Sequence, residues 1–179
     1  DEVHACCWES RDEEIEPIVE IFQCRGNAEY RGAPRMMNLD RHKPTENDHG
    51  FIDYALREKG HKLGFIASGD HNSIGVGLAC VWVKEVSRKG VLEAVRSRRV
   101  FGTTGDQIEV DFRLNGVLQG QTTRLSKTYN LAINVSAVDE IESIDILRNS
   151  RVIESIKLEN GTDFFSGNFM DKKIKNNEK

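Results

Sequence analysis

Asp70 and His71 stand side by side just past a short apolar run, 63–67, from which Ser68 and Gly69 separate them. A carboxylate and an imidazole are hard-to-borderline ligands for a divalent metal, and also a possible acid–base pair. The run ahead of them is apolar and flanked by glycine and small polar residues, which reads as a short buried strand. The C-terminal end of a strand is where α/β folds place their chemistry. An isolated Asp-His pair is more often a turn cap beside a surface histidine, so the weight falls on what surrounds it.

A second group of reactive side chains lies earlier. The β-branched run 18–23 carries Glu20 in its middle and Gln23 at its end. An acid inside such a strand is costly unless it is paired, bound to a ligand or exposed on an edge. The loop 24–35 follows at once, glycine-rich and polar, with Glu29 and three arginines, Arg25, Arg31 and Arg35. Guanidinium forks after a strand suit phosphate or carboxylate recognition. A solvated loop accounts for the same residues equally well.

Composition narrows the classes. The 179 residues suffice for one large domain or two small ones, and a formal charge of −4 gives no cause to expect nucleic-acid binding or attraction to an anionic membrane. No apolar run approaches the ~20 residues of a membrane span. The chain starts at Asp1 without a signal-like segment, which reads as processed, excised or incompletely represented, and leaves the compartment open. Cys6, Cys7, Cys24 and Cys80 contain no C-x-x-C pair, so a structural zinc site of ordinary spacing is not expected. Their pairing stays open, and Cys80 in its apolar run reads as a small core residue.

The elements that must position these groups follow from periodicity. An apolar stripe of Phe51, Ile52, Ala55 and Leu56 predicts a helix over 50–59, stopped by Gly60. A buried strand is expected at 77–83, then a helix capped by Ser87 and running to about 98, with Val91, Leu92 and Val95 as its apolar face. Arg96, Arg98 and Arg99 suit that helix's C-terminus, where the macrodipole favours cations. After Gly105 the period changes to two: Ile108, Val110, Phe112 and Leu114 alternate, Asn115-Gly116 supplies a hairpin turn, and Leu131, Ile133, Val135 and Ala137 alternate again. Ile144 and Ile146, a turn at 148–151 and a strand at 152–158 complete a small antiparallel sandwich. Residues 36–48 read as a loop and 172–179 as a frayed tail.

Three blocks in order resemble a known superfamily. The first runs Pro17-Ile18-Val19-Glu20-Ile21-Phe22-Gln23, then Arg25, Glu29 and Gly32-Ala33-Pro34-Arg35. The second is Gly60-His61-Lys62-Leu63-Gly64-Phe65-Ile66-Ala67-Ser68-Gly69-Asp70-His71. The third spans Ser87 to Arg96 and then Arg99-Val100-Phe101-Gly102-Thr103-Thr104-Gly105. Over about residues 4–160 the chain resembles the C-terminal part of a bacterial branch of the PHP (polymerase and histidinol phosphatase) metal-dependent phosphoesterases. The resemblance implies an α/β fold, the C-terminal part of a distorted β/α barrel over 1–105, followed by a β-rich domain over 106–171 and the tail 172–179. It implies divalent metal ions (zinc, manganese or iron) held by Asp70 and His71, with His4 as an earlier ligand. It places Glu20, Gln23, Arg25, Glu29 and Arg35 at the substrate mouth.

The superfamily's opening H-x-H, its next Asp-His pair and its bridging glutamate have no counterpart here. Its closing motif spaces Asp and His by one residue, whereas here they adjoin and Asn72 stands in the histidine's place. The expectation is therefore a C-terminal fragment of a metal-dependent hydrolase acting on a small anionic or phosphorylated substrate. Catalysis would require the N-terminal half of the same protein, and this chain alone would be inactive. The alternative is a non-catalytic glycan- or protein-binding module from a degenerate relative, for which Phe164, Phe165 and Phe169 supply the late aromatics. The join between the two parts is expected at 100–105, too short for a free linker, with the parts packed tightly.

Overall fold

The computed structural model describes residues 7–37, 49–71, 74–124 and 126–172. His4, Cys6, Asn72, nearly all of the 36–48 loop and residues 173–179 of the tail lie outside the described residues.

Strand β1 (Ile18–Gln23) forms where the β-branched residues Ile18, Val19 and Ile21 flank Glu20. It turns back through Cys24 and Arg25 into β2 (Gly26–Asn27), antiparallel, with Phe22 opposite Asn27. Helix α1 (Ile52–Arg57) buries Ile52 and Ala55. Strand β3 (Gly64–Ala67) then pairs in parallel with β1, Ile18 opposite Gly64 and Phe22 opposite Ala67, with an irregularity between Glu20 and Phe22. Trp8, Ala28, Met37, Phe51, Ile52, Ala55 and Leu63 form the buried core of this part, covered by Val19, Ile21 and Phe65. Thus β1 and β3 present their C-terminal ends together, at Gln23 and Ser68.

Strand β4 (Leu78–Val81) leads into α2 (Arg88–Arg96), whose first turn is capped by Ser87 Oγ accepting from the Gly90 N–H. Strand β5 (Val100–Thr103) returns antiparallel to β4. The expected apolar face of α2 needs correction. Ala94 is the residue fully buried, while Val91 and Leu92 are 40% and 50% exposed. A small side chain permits the close approach of the helix, and the larger pair points away from it. Gly64 and Gly102 do the same for strands: a Cβ at Gly102 would lie 2.6 Å from Ala67 N, so β5 crosses β3 at backbone contact.

The C-terminal part follows the period-two pattern. Strands β6 (Ile108–Leu114), β7 (Val117–Leu118), β8 (Tyr129–Ala137) and, after the hairpin β9 (Ser143–Arg148) and β10 (Arg151–Lys157), β11 (Phe164–Asp171) complete the described strands. Four of them form an antiparallel sheet in the order β11-β8-β6-β7, while β9 and β10 pair with each other. Asn115 and Gly116, both at positive φ, close the β6–β7 turn, as Asn-Gly does in hairpins whose turn must follow the strand twist. Leu131, Ile133 and Val135 from the sheet meet Ile146 of the hairpin in a second core, into which Phe165 and Phe169 also pack. Phe164, on the other face, is exposed.

Hydrogen bonds cross between the two parts. Trp82 Nε1 donates to Val110 O at 3.0 Å, Arg98 Nε to Gly120 O at 3.1 Å, and Gln119 Nε2 to Val100 O at 3.3 Å. The arginines after α2 therefore serve carbonyls outside that helix as well: Arg99 Nε reaches Trp82 O, while its Nη2 pairs with the Glu93 carboxylate of α2.

The α/β barrel expected from the resemblance is not what this chain forms. Among the described residues, the strands make four small sheets of three, two, four and two strands, and the two α-helices are short. A β/α barrel needs repeated strand–helix–parallel strand units. Among the described residues, parallel pairing of strands joins β1 and β3, with one isolated parallel bridge between Asn27 and Met36, and α2 links two antiparallel strands, β4 and β5, so it is not a parallel crossover. The fold is β-rich. Among the described residues, no helix is long and apolar enough to cross a membrane.

Candidate functional site

The parallel pairing of β1 and β3 brings two distant segments to one edge. Glu20, inside β1, is met by Ser68 at the end of β3, whose hydroxyl donates to the Glu20 carboxylate. That is how a strand-interior acid is accommodated here. Three residues on, Gln23 is buried, at 7% exposure, with both ends of its amide engaged. Its Oε1 accepts the Arg25 backbone N–H at 2.6 Å and the Cys24 thiol at 3.4 Å, which turns Nε2 towards Asp70 Oδ2 at 2.9 Å.

Asp70 sits at a φ of 57°, in the left-handed region that Asp tolerates better than most residues. Its Oδ1 accepts the His71 N–H at 2.6 Å, and its Oδ2 is bonded by Arg25 Nη1 as well as by Gln23. The His71 N–H, and after it the Arg25 guanidinium, hold the Asp70 carboxyl below the ordinary carboxylate range against the opposing effect of desolvation. Gly77 supports the turn from behind: a Cβ there would lie 2.5 Å from Ser68 O.

Of the expected site residues, the structure gathers Glu20, Gln23, Arg25 and Asp70, and adds Ser68. His71 follows Asp70 but its side chain is 76% exposed, with Nε2 3.4 Å from Asp70 Oδ1. Arg35 lies near the same strand end, its guanidinium 4.8 Å from the centre of the Phe22 ring. Glu29 belongs elsewhere: burial, and also the charge of Asp53, raise its carboxyl above the ordinary range, although a bond from Asn27 opposes this. His4 lies outside the described residues.

The family model described as "Protein of unknown function (DUF3604)" matches residues 43–135. The chain belongs to the DUF3604 family. Relatives carrying the name "Uncharacterized protein" occur in Chlamydia trachomatis serovar D, 28% identical over 166 residues, covering 79% of this chain and 26% of the relative. One in Chlamydia muridarum is 27% identical over 174 residues, covering 84% of the chain and 27% of the relative. A third, in Chlamydia pneumoniae, is 23% identical over 171 residues, covering 85% and 27%. This DUF3604 chain spans about a quarter of the length of these curated relatives. No solved structure matches it.

Both Asp70 oxygens already accept hydrogen bonds, one of them from a cation. Among the described residues, no three His, Cys, Asp or Glu side chains group so as to hold a metal ion. The described residues of this edge do not fit a divalent ion by themselves. What they do fit is an oxyanion: a guanidinium and an amide N–H aimed at the same oxygen are donors for a phosphate or carboxylate.

A cavity of about 1050 Å³ lies elsewhere. Leu63, Phe65 and Val100 line it from one part, and Phe112, Ile133 and Ile144 from the other. None of Gln23, Arg25 or Asp70 borders it. Ser68 is the site residue that sequence reading missed; its signal was its position at the end of β3, one strand away from an acid that needed a partner.

Proposed function

We propose that the edge formed by β1 and β3 is the anion-recognising part of a hydrolase for a small phosphorylated substrate, related to the PHP phosphoesterases. The observation that carries this is the convergence of Arg25 Nη1 and Gln23 Nε2 on one carboxylate oxygen, with the Gln23 amide held in place by the Arg25 backbone N–H at the end of β1. Arg25 would bind a substrate oxyanion and Gln23 would orient it. Arg35, held against Phe22, would add a second positive charge nearby. The metal ions that such a hydrolase uses would draw ligands from outside the described residues, and catalysis would belong to the longer protein. Glu20 and Ser68 keep the floor of the edge in place.

Calorimetric titration of this chain with inorganic phosphate tests the reading. Replacing Arg25 or Arg35 with glutamine should weaken binding by about tenfold, the lower end for a charge-assisted hydrogen bond of about 1.5 kcal/mol, because the site is open to water. The melting temperature should move little. In the full-length protein the same variants should raise KM for p-nitrophenyl phosphate more than they lower kcat. Unchanged phosphate binding alongside a large loss of thermal stability would mark the loop as purely structural.

A further inference from the structure

We propose that Asp70 is the resident counter-ion of Arg25, occupying the place that a substrate phosphate oxygen takes when it binds. This rests on the anion-recognising reading above and assigns Asp70 a role other than metal ligation.

Three observations lead to it. First, the donors of the site are arranged for an oxyanion, and the oxyanion they hold is supplied by the chain itself. Gln23 is buried, and its amide is locked by the Arg25 N–H, so Nε2 cannot turn away from Asp70 Oδ2 without leaving that N–H without its acceptor. Second, the pair is reachable from solvent: the Arg25 side chain is 34% exposed and that of Asp70 20%. Among the described residues, the other nitrogens of the Arg25 guanidinium have no hydrogen-bond partner, so an incoming anion can engage them before Asp70 lets go. Third, Asp70 is carried on a turn at positive φ and not within the β3 ladder. Its release breaks no strand pairing, and the backbone there can relax.

The consequence has a definite sign. A metal-ligating Asp70 would favour binding of a phosphate bridged to the metal, and its loss would weaken binding. A resident counter-ion competes with phosphate, and its loss strengthens binding. The experiment is a titration with inorganic phosphate at constant ionic strength, without added metal, on wild type, Asp70→Asn, Asp70→Gly, Arg25→Gln and Asp70→Asn/Arg25→Gln. Asparagine and glycine both accept a positive φ, so the two Asp70 variants keep the turn.

Asp70→Asn and Asp70→Gly should bind phosphate about three- to fivefold more tightly, the range expected on removing a part-exposed ion pair. The gain should vanish in the double variant. Equal or weaker binding by both Asp70 variants, with Arg25→Gln still impaired, overturns this proposal and leaves the anion-recognising reading intact. Absence of phosphate binding in wild type and both Asp70 variants overturns both. Where Asp70→Asn fails to fold, Asp70→Gly decides; failure of both to fold makes Asp70 a structural necessity and also overturns the proposal.

Discussion

Gly102→Ala is the sharpest perturbation of the scaffold under the site. Gly102 lies in β5 opposite Ala79 of β4, with its other side against β3. An added methyl would stand 2.6 Å from Ala67 N, 2.7 Å from Ile66 C and 2.9 Å from Ala67 Cβ. All three belong to β3 and two are backbone atoms, so no rotamer change relieves the contact. Either β3 moves from β1 or β5 moves from β4. Overpacking of this kind costs about 1–3 kcal/mol, and backbone contact places it near the top of that range. Stiffening the unfolded chain returns about 0.4–1 kcal/mol. The net loss is about 2–2.6 kcal/mol, or a fall in Tm of about 4–10 °C for a chain of this size. Urea denaturation and calorimetry measure it, and an unchanged m value would show that the loss is in stability rather than in the extent of unfolding. Gly64→Ala is the control, because its shortest contact, 2.7 Å, is with the Val100 Cγ2 methyl. Val100→Ala should rescue Gly64→Ala in part and leave Gly102→Ala unrelieved. A Gly102→Ala protein as stable as wild type would refute the claim that β3 and β5 meet at backbone contact.

Burial holds the Glu29 carboxyl above its ordinary value of 4.5, so the folded state binds that proton more tightly than the unfolded state. The stabilisation is fully present below pH 4.5 and is lost as pH rises through the folded value; Glu29→Gln should therefore match wild type at pH 4 and exceed its Tm at pH 7, and equal Tm values at pH 7 would contradict the shift. Limited proteolysis should give no early cut within 99–106, because bonds from Trp82, Arg98 and Gln119 span the join. Trp82→Phe, which removes the donor to Val110 O, should cost about 1 kcal/mol and speed cleavage there; two folded pieces released early from wild type would show independent domains.

The antiparallel part was legible because period-two alternation and Asn115-Gly116 are local signals, and β6 runs from Ile108 to Leu114 as the pattern predicts. Strand β1 was legible from its β-branched run, Ile18, Val19 and Ile21. What the pattern could not supply is which strands pair. The order strand, helix, strand at 78–103 is compatible with a parallel crossover, yet β4 and β5 run antiparallel. Periodicity also finds a stripe on α2 without saying what it meets, and there the contact is made by Ala94 while Leu92 stays half exposed. The crossing bonds of Trp82 and Gln119 are long-range side-chain-to-backbone contacts with no sequence signature. At the site, the residue types were legible and their partners were not: Gln23 read as a pocket-lining amide, whereas its two ends join Arg25 to Asp70.

The spacing of Asp70 and His71 carries the remaining argument. Two side chains one residue apart in an extended segment share a face, and adjacent ones do not. A closing motif with one residue between Asp and His can therefore aim both at one ion, whereas an adjacent pair at a strand end separates them. At the left-handed turn of Asp70 the His71 Nε2 comes to 3.4 Å from Oδ1 while the imidazole stays 76% exposed, and the other carboxylate oxygen, Oδ2, is taken by Arg25 and Gln23. The neighbour acts on Asp70 first through its backbone: the His71 N–H at 2.6 Å is the largest influence lowering the carboxyl's pKa. An ionised Asp70 beside Arg25 gives a locally neutral site that displacement by phosphate would make anionic by the charge it brings. On the proposed reading, binding would then be favoured by cations nearby, a place that Arg35, above Phe22, would fill.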